Sequence, residues 1–120
     1  MRADMLTSVL TELNGTSGDI EASGVISTDG LMIAAVLPAG MDEDHVGAMS
    51  AAMLSLGDRT AQELARGALE QVLIKGAKGY VLMTYAGEES VLTVLAKPNA
   101  KLGLIFLDVK RAAVSIAELL

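Results

Sequence analysis

The chain of 120 residues has one histidine, His45, and no cysteine. A lone imidazole does acid–base or metal chemistry only beside partners that orient it or share its ligand. His45 has no second histidine, no thiol, and no aspartate at catalytic spacing on a following element. Asp42-Glu43-Asp44 and Glu88-Glu89 offer carboxylate oxygens. A hard cation needs further converging oxygen ligands, and helix-start and turn roles account for both clusters. Ser50 and Ser55 have no histidine to activate them for nucleophilic work. The string Gly-x-x-x-x-Gly-Lys-Ser/Thr, whose backbone cradles phosphates, does not occur. Arg59 and Arg66 could lend positive charge to phosphates held by a partner. Both also lie within three or four residues of Glu63, the spacing of ordinary helical ion pairs. The expectation is a chain with no catalytic residues, no cofactor and no metal.

Composition narrows the class further. A net charge of −6 argues against nucleic acid, which needs a basic footprint. An aromatic content of 2% leaves no platform for stacking bases. Hydrophobic residues make up 52%, so a core is available, and it must be aliphatic with seven methionines. Methionine fills gaps in cores and also suits adaptable contact surfaces. No apolar run reaches the roughly 18 residues of a membrane span, so no membrane insertion is expected. Met1-Arg2-Ala3-Asp4 leads into a mixed helical pattern instead of a signal peptide's continuous apolar stretch. With no disulfide framework, a cytoplasmic protein is expected.

The elements that position these residues follow from periodicity. Met5, Val9, Leu10 and Leu13 recur at helical spacing over residues 2–14, and Asn14-Gly15 predicts the stop. Residues 20–28 and 31–37 read as strands joined at Thr28-Asp29-Gly30, an Asp-Gly hairpin signal. Pro38-Ala39-Gly40 breaks the second strand. Asp42 is a candidate N-cap for a long helix to about Arg66, with Gly67 as its stop. Strands are predicted near 69–75, 79–86 and 90–97, with hairpin-length connections. Leu102, Phe106, Val109, Ala113, Ile116 and Leu120 predict a last helix over 102–119. Its opposite stripe, Asp108, Arg111, Ser115 and Glu118, reads as solvated. The order α-β-β-α-β-β-β-α over one domain, residues 1–120, predicts an α+β fold. Strands that are apolar on both sides are covered on both faces. The expected architecture is therefore a three-layer α/β/α sandwich with a five-stranded antiparallel sheet, the long helix on one face and two shorter ones on the other.

The long helix is unusual. From Val46 to Leu56 it carries no charge. Val46, Met49, Met53, Leu56 and Leu64 form one stripe, the expected sheet-facing side. Gly47, Ser50, Leu54, Gly57, Ala61 and Ala65 form a second, whose small residues would admit another backbone. Ala48, Ala51, Ala52 and Ser55 make the remaining side before it turns polar at Asp58, Arg59, Gln62 and Arg66. A helix apolar all round is normally covered all round, so a partner outside the monomer is expected. Residues 69–75 lack proline and glycine and would pair with another chain if they form a sheet edge.

Several segments together resemble the roadblock family. Ser55-Leu-Gly-Asp-Arg-Thr-Ala-Gln-Glu-Leu64 is similar to the end of its central helix. Leu73-Ile-Lys-Gly76 and Gly79-Tyr-Val-Leu82 are similar to its strand–turn–strand. Val91-Leu-Thr-Val-Leu95, Asn99-Ala-Lys-Leu-Gly103 and Asp108-Val-Lys-Arg-Ala-Ala113 resemble its last strand, loop and final helix, and Asp29-Gly30-Leu31 fits its first hairpin. The resemblance implies a homodimer that pairs through the edge strand and central helix. Gly47, Ser50, Leu54, Gly57, Ala61, Glu70, Val72 and Ile74 would then be the interface. It further implies a non-catalytic scaffold or regulator that binds a Ras-like small GTPase, with Ala48, Ala51, Ala52, Ser55 and Arg59 facing it. A structural adaptor or light-chain-like subunit without nucleotide dependence stays open. So does a small-ligand sensor, although few polar residues converge to hold a ligand.

Overall fold

The structure is a computed structural model that describes residues 2–120. Eight elements occur in the expected order: α1 (Arg2–Thr16), β1 (Ile20–Ser27), β2 (Met32–Val36), α2 (Glu43–Glu63), β3 (Gln71–Gly76), β4 (Gly79–Tyr85), β5 (Ser90–Ala96) and α3 (Leu102–Leu119). The five strands form one sheet in the order β2-β1-β5-β4-β3, every neighbouring pair antiparallel. Central β5 is buried along nearly its whole length, which is why its sequence is apolar without alternation.

α1 and α3 share one face of the sheet. Leu6, Leu10 and Leu13 of α1 and Ile105, Val109 and Ile116 of α3 pack with Val25, Leu82, Leu92 and Val94. Fully burying an aliphatic side chain of this kind stabilises the fold by about 1.5–3 kcal/mol. The stripe on α1 begins at Leu6, and Met5 points to solvent. On α3 the covered stripe is displaced toward Ile105 and Ala112, leaving Leu102 and Phe106 half-buried and Leu120 exposed.

Asn14 does not stop α1, which continues to Thr16. Its side chain instead ties three elements together. Nδ2 donates to the Val36 carbonyl at 3.4 Å, and Oδ1 accepts from the buried Ser23 hydroxyl at 2.8 Å. α2 opens as expected, with Asp42 in extended conformation accepting the Asp44 N–H at 2.9 Å. It closes earlier than expected, at Glu63. Arg66 N–H bonds the Ala61 carbonyl at 2.7 Å and Ala65 N–H bonds that of Gln62 at 3.1 Å. This is a Schellman closure, and Ala65 takes its left-handed position at φ 57°. The expected stop, Gly67, lies beyond it.

Candidate interaction surface

α2 lies across the second face of the sheet, and its seat is set by residues with little or no side chain. Gly47 sits against the β1–β2 turn. A Cβ there would stand 2.6 Å from the Gly30 carbonyl oxygen. Gly30 itself adopts φ 97°, which favours glycine. Three residues on, Ser50 is buried and accepts a 3.0 Å hydrogen bond from the Thr93 hydroxyl of β5. Leu54 packs on Met83 and Val91, with Met53, Leu69, Val72 and Tyr85 around them. Gly57 lets Val72 and Leu69 close on the helix, at 3.1 and 3.3 Å from its would-be Cβ.

The two stripes of α2 are therefore interchanged relative to the sequence reading. Gly47, Ser50, Leu54 and Gly57, expected to face a second chain, face this chain's own sheet, and Ala61 is half-buried on the same side. The large residues expected to face the sheet are left outside: Met49 is 59% exposed, Leu56 58% and Leu64 64%, with Val46 and Met53 half-covered. The physical reason is distance. Gly47 brings the start of α2 so close to the β1–β2 turn that only small groups fit beneath it there, and Leu54 goes under farther along, over Met83 and Val91. Small residues at helical spacing report a close backbone, and here that backbone is Gly30.

Other expected residues are distributed as follows. Ala48, Ala52, Ser55 and Arg59 are exposed on the outer side of α2. Ala51 is half-buried and lies beside Gly30. Glu70 precedes β3 instead of belonging to it, with its carbonyl accepting from Thr84 Oγ1. Val72 is drawn partly under α2, whereas Ile74 is 37% exposed near the sheet edge. β3 is an edge strand, and an unpaired edge is a template for another chain.

Between the groove side of α2 and this edge lies an apolar groove of about 210 Å³. Val46, Met49 and Met53 form its helix wall, and Ile74, Val81 and Leu95 its sheet wall. The hydroxyls of Ser50 and Thr93 lie at its floor, bonded to each other. No acidic residue, lysine or arginine lines it. Sequence reasoning missed this groove because it depends on which stripe of α2 faces down. Its one available signal was the pairing of two glycines, Gly47 on the helix and Gly30 in the turn.

The polar groups nearby pair with one another or with the backbone. Arg59 Nε pairs with Glu63 at 3.0 Å in an exposed ion pair, of a kind that contributes little to stability. Arg66 Nε donates to the Leu64 carbonyl. Tyr85 has its phenol raised above the usual range, first by burial and then by the Asp58 carboxylate. Among the described residues no group of three or more histidines, cysteines or carboxylates converges in metal-binding fashion.

The family model of the Roadblock/LC7 domain matches residues 6–96, which span every strand and α2. The chain belongs to the Roadblock/LC7 domain family. MJ1340 of Methanocaldococcus jannaschii, an uncharacterized protein, is 46% identical over 112 residues, covering 93% of this chain and 96% of that one. Among solved structures, MglB with a tetrameric arrangement superimposes with a TM-score of 0.90 at 21% identity, over 98% of this chain and 89% of that chain. A Roadblock/LC7 domain from Streptomyces avermitilis superimposes at 0.88 and 19% identity, over 93% of this chain and 94% of the other. At these identities the structural likenesses speak for the fold. No helix among the described residues is long and apolar enough to cross a membrane.

Proposed function

We propose that this roadblock chain is a non-catalytic cytoplasmic scaffold that acts as a homodimer and presents its paired α2 helices to a Ras-like small GTPase. The observation that carries the reading is the uncovered side of α2, Met49, Leu56 and Leu64, of which Met49 lines the apolar groove together with Ile74 of the edge strand β3. A second copy suits that surface because it brings the same two features. One strand closes the edge by backbone hydrogen bonds while one helix side covers the groove. Directly opposed residues of antiparallel strands project to one face. With Leu73 on the two-fold axis, Val72 of one chain would oppose Ile74 of the other, on the face that carries α2. The interface proposed is therefore Val46, Met49, Met53, Leu56 and Ile74 with the β3 backbone. The outer side of α2, Ala48, Ala52, Ser55 and Arg59, remains open for the GTPase. Family membership supports the GTPase half of the proposal.

Two measurements test it. Sedimentation across micromolar concentrations is expected to give a dimer, and Met49→Glu a folded monomer. Titration with a Ras-like protein from the same cell, loaded with GTP or GDP, is expected to show binding to the dimer. Ala52→Glu and Ser55→Glu should weaken that binding and leave the dimer intact. A monomeric wild type would overturn the first half. Absence of any nucleotide-dependent binding would overturn the second.

A further inference from the structure

The groove is rich in thioethers: Met49, Met53 and Met83 are three of its ten lining residues. They differ sharply in access. Met83 is 1% exposed, whereas Met49 is 59% exposed. The chain has no cysteine, so its oxidisable sulfur is entirely methionine. Oxidation of methionine replaces a flexible apolar group by a polar sulfoxide and follows exposure. At the groove such a sulfoxide would be poorly served. The Thr93 hydroxyl at the floor is already donated to Ser50, and no lysine or arginine lines the walls, the one ionisable lining group being the exposed His45.

We propose that Met49 is an oxidation site that controls this face: its conversion to sulfoxide disfavours self-association, and self-association in turn shields it. The inference rests on the reading that a second copy covers the groove. The co-reactant is a peroxide. Its terminal oxygen is transferred to the thioether sulfur as the O–O bond breaks, so the sulfur loses two electrons and hydrogen peroxide leaves as water. The backbone and fold are untouched, because Met49 contributes to the helix's outer wall and not to the buried core. A methionine sulfoxide reductase would reverse the change. Burying an unpartnered polar group disfavours an apolar contact enough to weaken pairing by about tenfold or more.

Met5 supplies an internal control, being 54% exposed but on α1, on the opposite layer. The experiment treats the full chain with hydrogen peroxide at a dilute and a concentrated setting. Peptide mass spectrometry then follows the added oxygen at Met5, Met49 and Met83. Sedimentation of the oxidised chain and of Met49→Leu, treated alike, completes it. When dilute, Met49 and Met5 should oxidise at similar rates and Met83 much more slowly. When concentrated, Met49 should slow several-fold while Met5 does not. The sulfoxide chain should pair about tenfold or more weakly than the untreated chain, whereas peroxide should leave the pairing of Met49→Leu where it stood before treatment. Shielding without weakened pairing would overturn the proposal and leave the dimer reading standing. Equal loss of pairing in Met49→Leu would also overturn it, by moving the effect to another methionine. A chain that never pairs, with Met49 and Met5 oxidising alike at every concentration, would overturn the dimer reading itself.

Discussion

Replacing Gly47 by alanine adds one methyl group at the point where α2 meets the β1–β2 turn. The new Cβ would lie 2.6 Å from the Gly30 carbonyl oxygen. Close carbon–oxygen contacts settle at about 3.3–3.6 Å, so the helix must rise by roughly 0.7 Å. The obstacle is backbone, so no rotamer change relieves it. Overpacking of this kind costs about 1–3 kcal/mol. Against it stands the helix propensity of alanine over glycine, about 1 kcal/mol in favour of the variant. The net expectation is destabilisation by up to about 2 kcal/mol, with melting lowered by roughly 3–6 °C for each kcal/mol. The assay is urea denaturation of dilute protein, where unfolding of the single chain is read. Two glycines calibrate it. A methyl at Gly57 meets only side-chain ends of Val72 and Leu69, so Gly57→Ala should stay within about 0.5 kcal/mol of wild type. Gly15 has nothing within 4 Å of its would-be Cβ, so Gly15→Ala should stabilise by about 0.5–1 kcal/mol. Had Gly47 faced a second chain, alanine would stabilise the isolated chain and disrupt only pairing. A Gly47→Ala protein that is more stable when dilute but fails to associate would refute the seating of α2 derived above.

Three further expectations follow from the same geometry. Ala65→Gly should stabilise the fold by about 0.5–1 kcal/mol in denaturant titration, because it removes the Cβ clash of a left-handed C-terminal position. Thr93→Val should cost about 1–2 kcal/mol by depriving the buried Ser50 hydroxyl of its donor, while Ser50→Ala combined with Thr93→Val should recover most of that; additive losses in the double mutant would contradict the bond. Tyr85 has its folded-state pKa raised above 10.0, so the folded chain keeps this proton when the unfolded chain has lost it. Stability is therefore intact below pH 10 and declines as pH rises through the folded value. Urea melts across that range should show a shallower decline for Tyr85→Phe.

Most of the fold was legible because the sequence marks its elements locally. Asp42 before an acidic first turn, Asp29-Gly30 between two apolar runs and Pro38 after β2 each act within a few residues. The layering then follows from strands that are apolar on both sides, whereas the order of strands within the sheet was not read from the sequence. The rotation of α2 about its own axis was not legible, since both of its stripes are uncharged and each could face the sheet. Volume decided it. Seen alone, Met49, Met53 and Leu56 satisfy the rule that large apolar residues point inward, and Gly47, Ser50 and Gly57 look like a contact for a stranger. Tertiary packing inverts this because Gly47 meets the Gly30 carbonyl too closely to place methionine at that point, and this contact sets the side of α2 that faces down. The ends of elements were misjudged for similar reasons. Asn14 looks like a stop, yet its side chain is taken up by Val36 and Ser23 instead of its own backbone. Ala65 occupies a position that sequence rules reserve for glycine.

The inversion strengthens the argument for a partner while changing its address. Under the sequence reading, a second chain was expected to cover a charge-free stripe of small residues. With α2 seated on its small residues, what remains outside is a row of large apolar side chains. Exposed alanine costs little in water, whereas Met49, Leu56 and Leu64 at more than half exposure leave unburied the area that favours association. Met49 also shares the groove with Ile74 of the edge strand β3, so a single partner meets both needs. A partner that covered α2 alone would leave the β3 backbone unpaired, and one that paired β3 alone would leave the methionines wet. Only a partner with both a strand and an adjoining apolar helix side answers both. A second copy of this chain has that combination without further assumption.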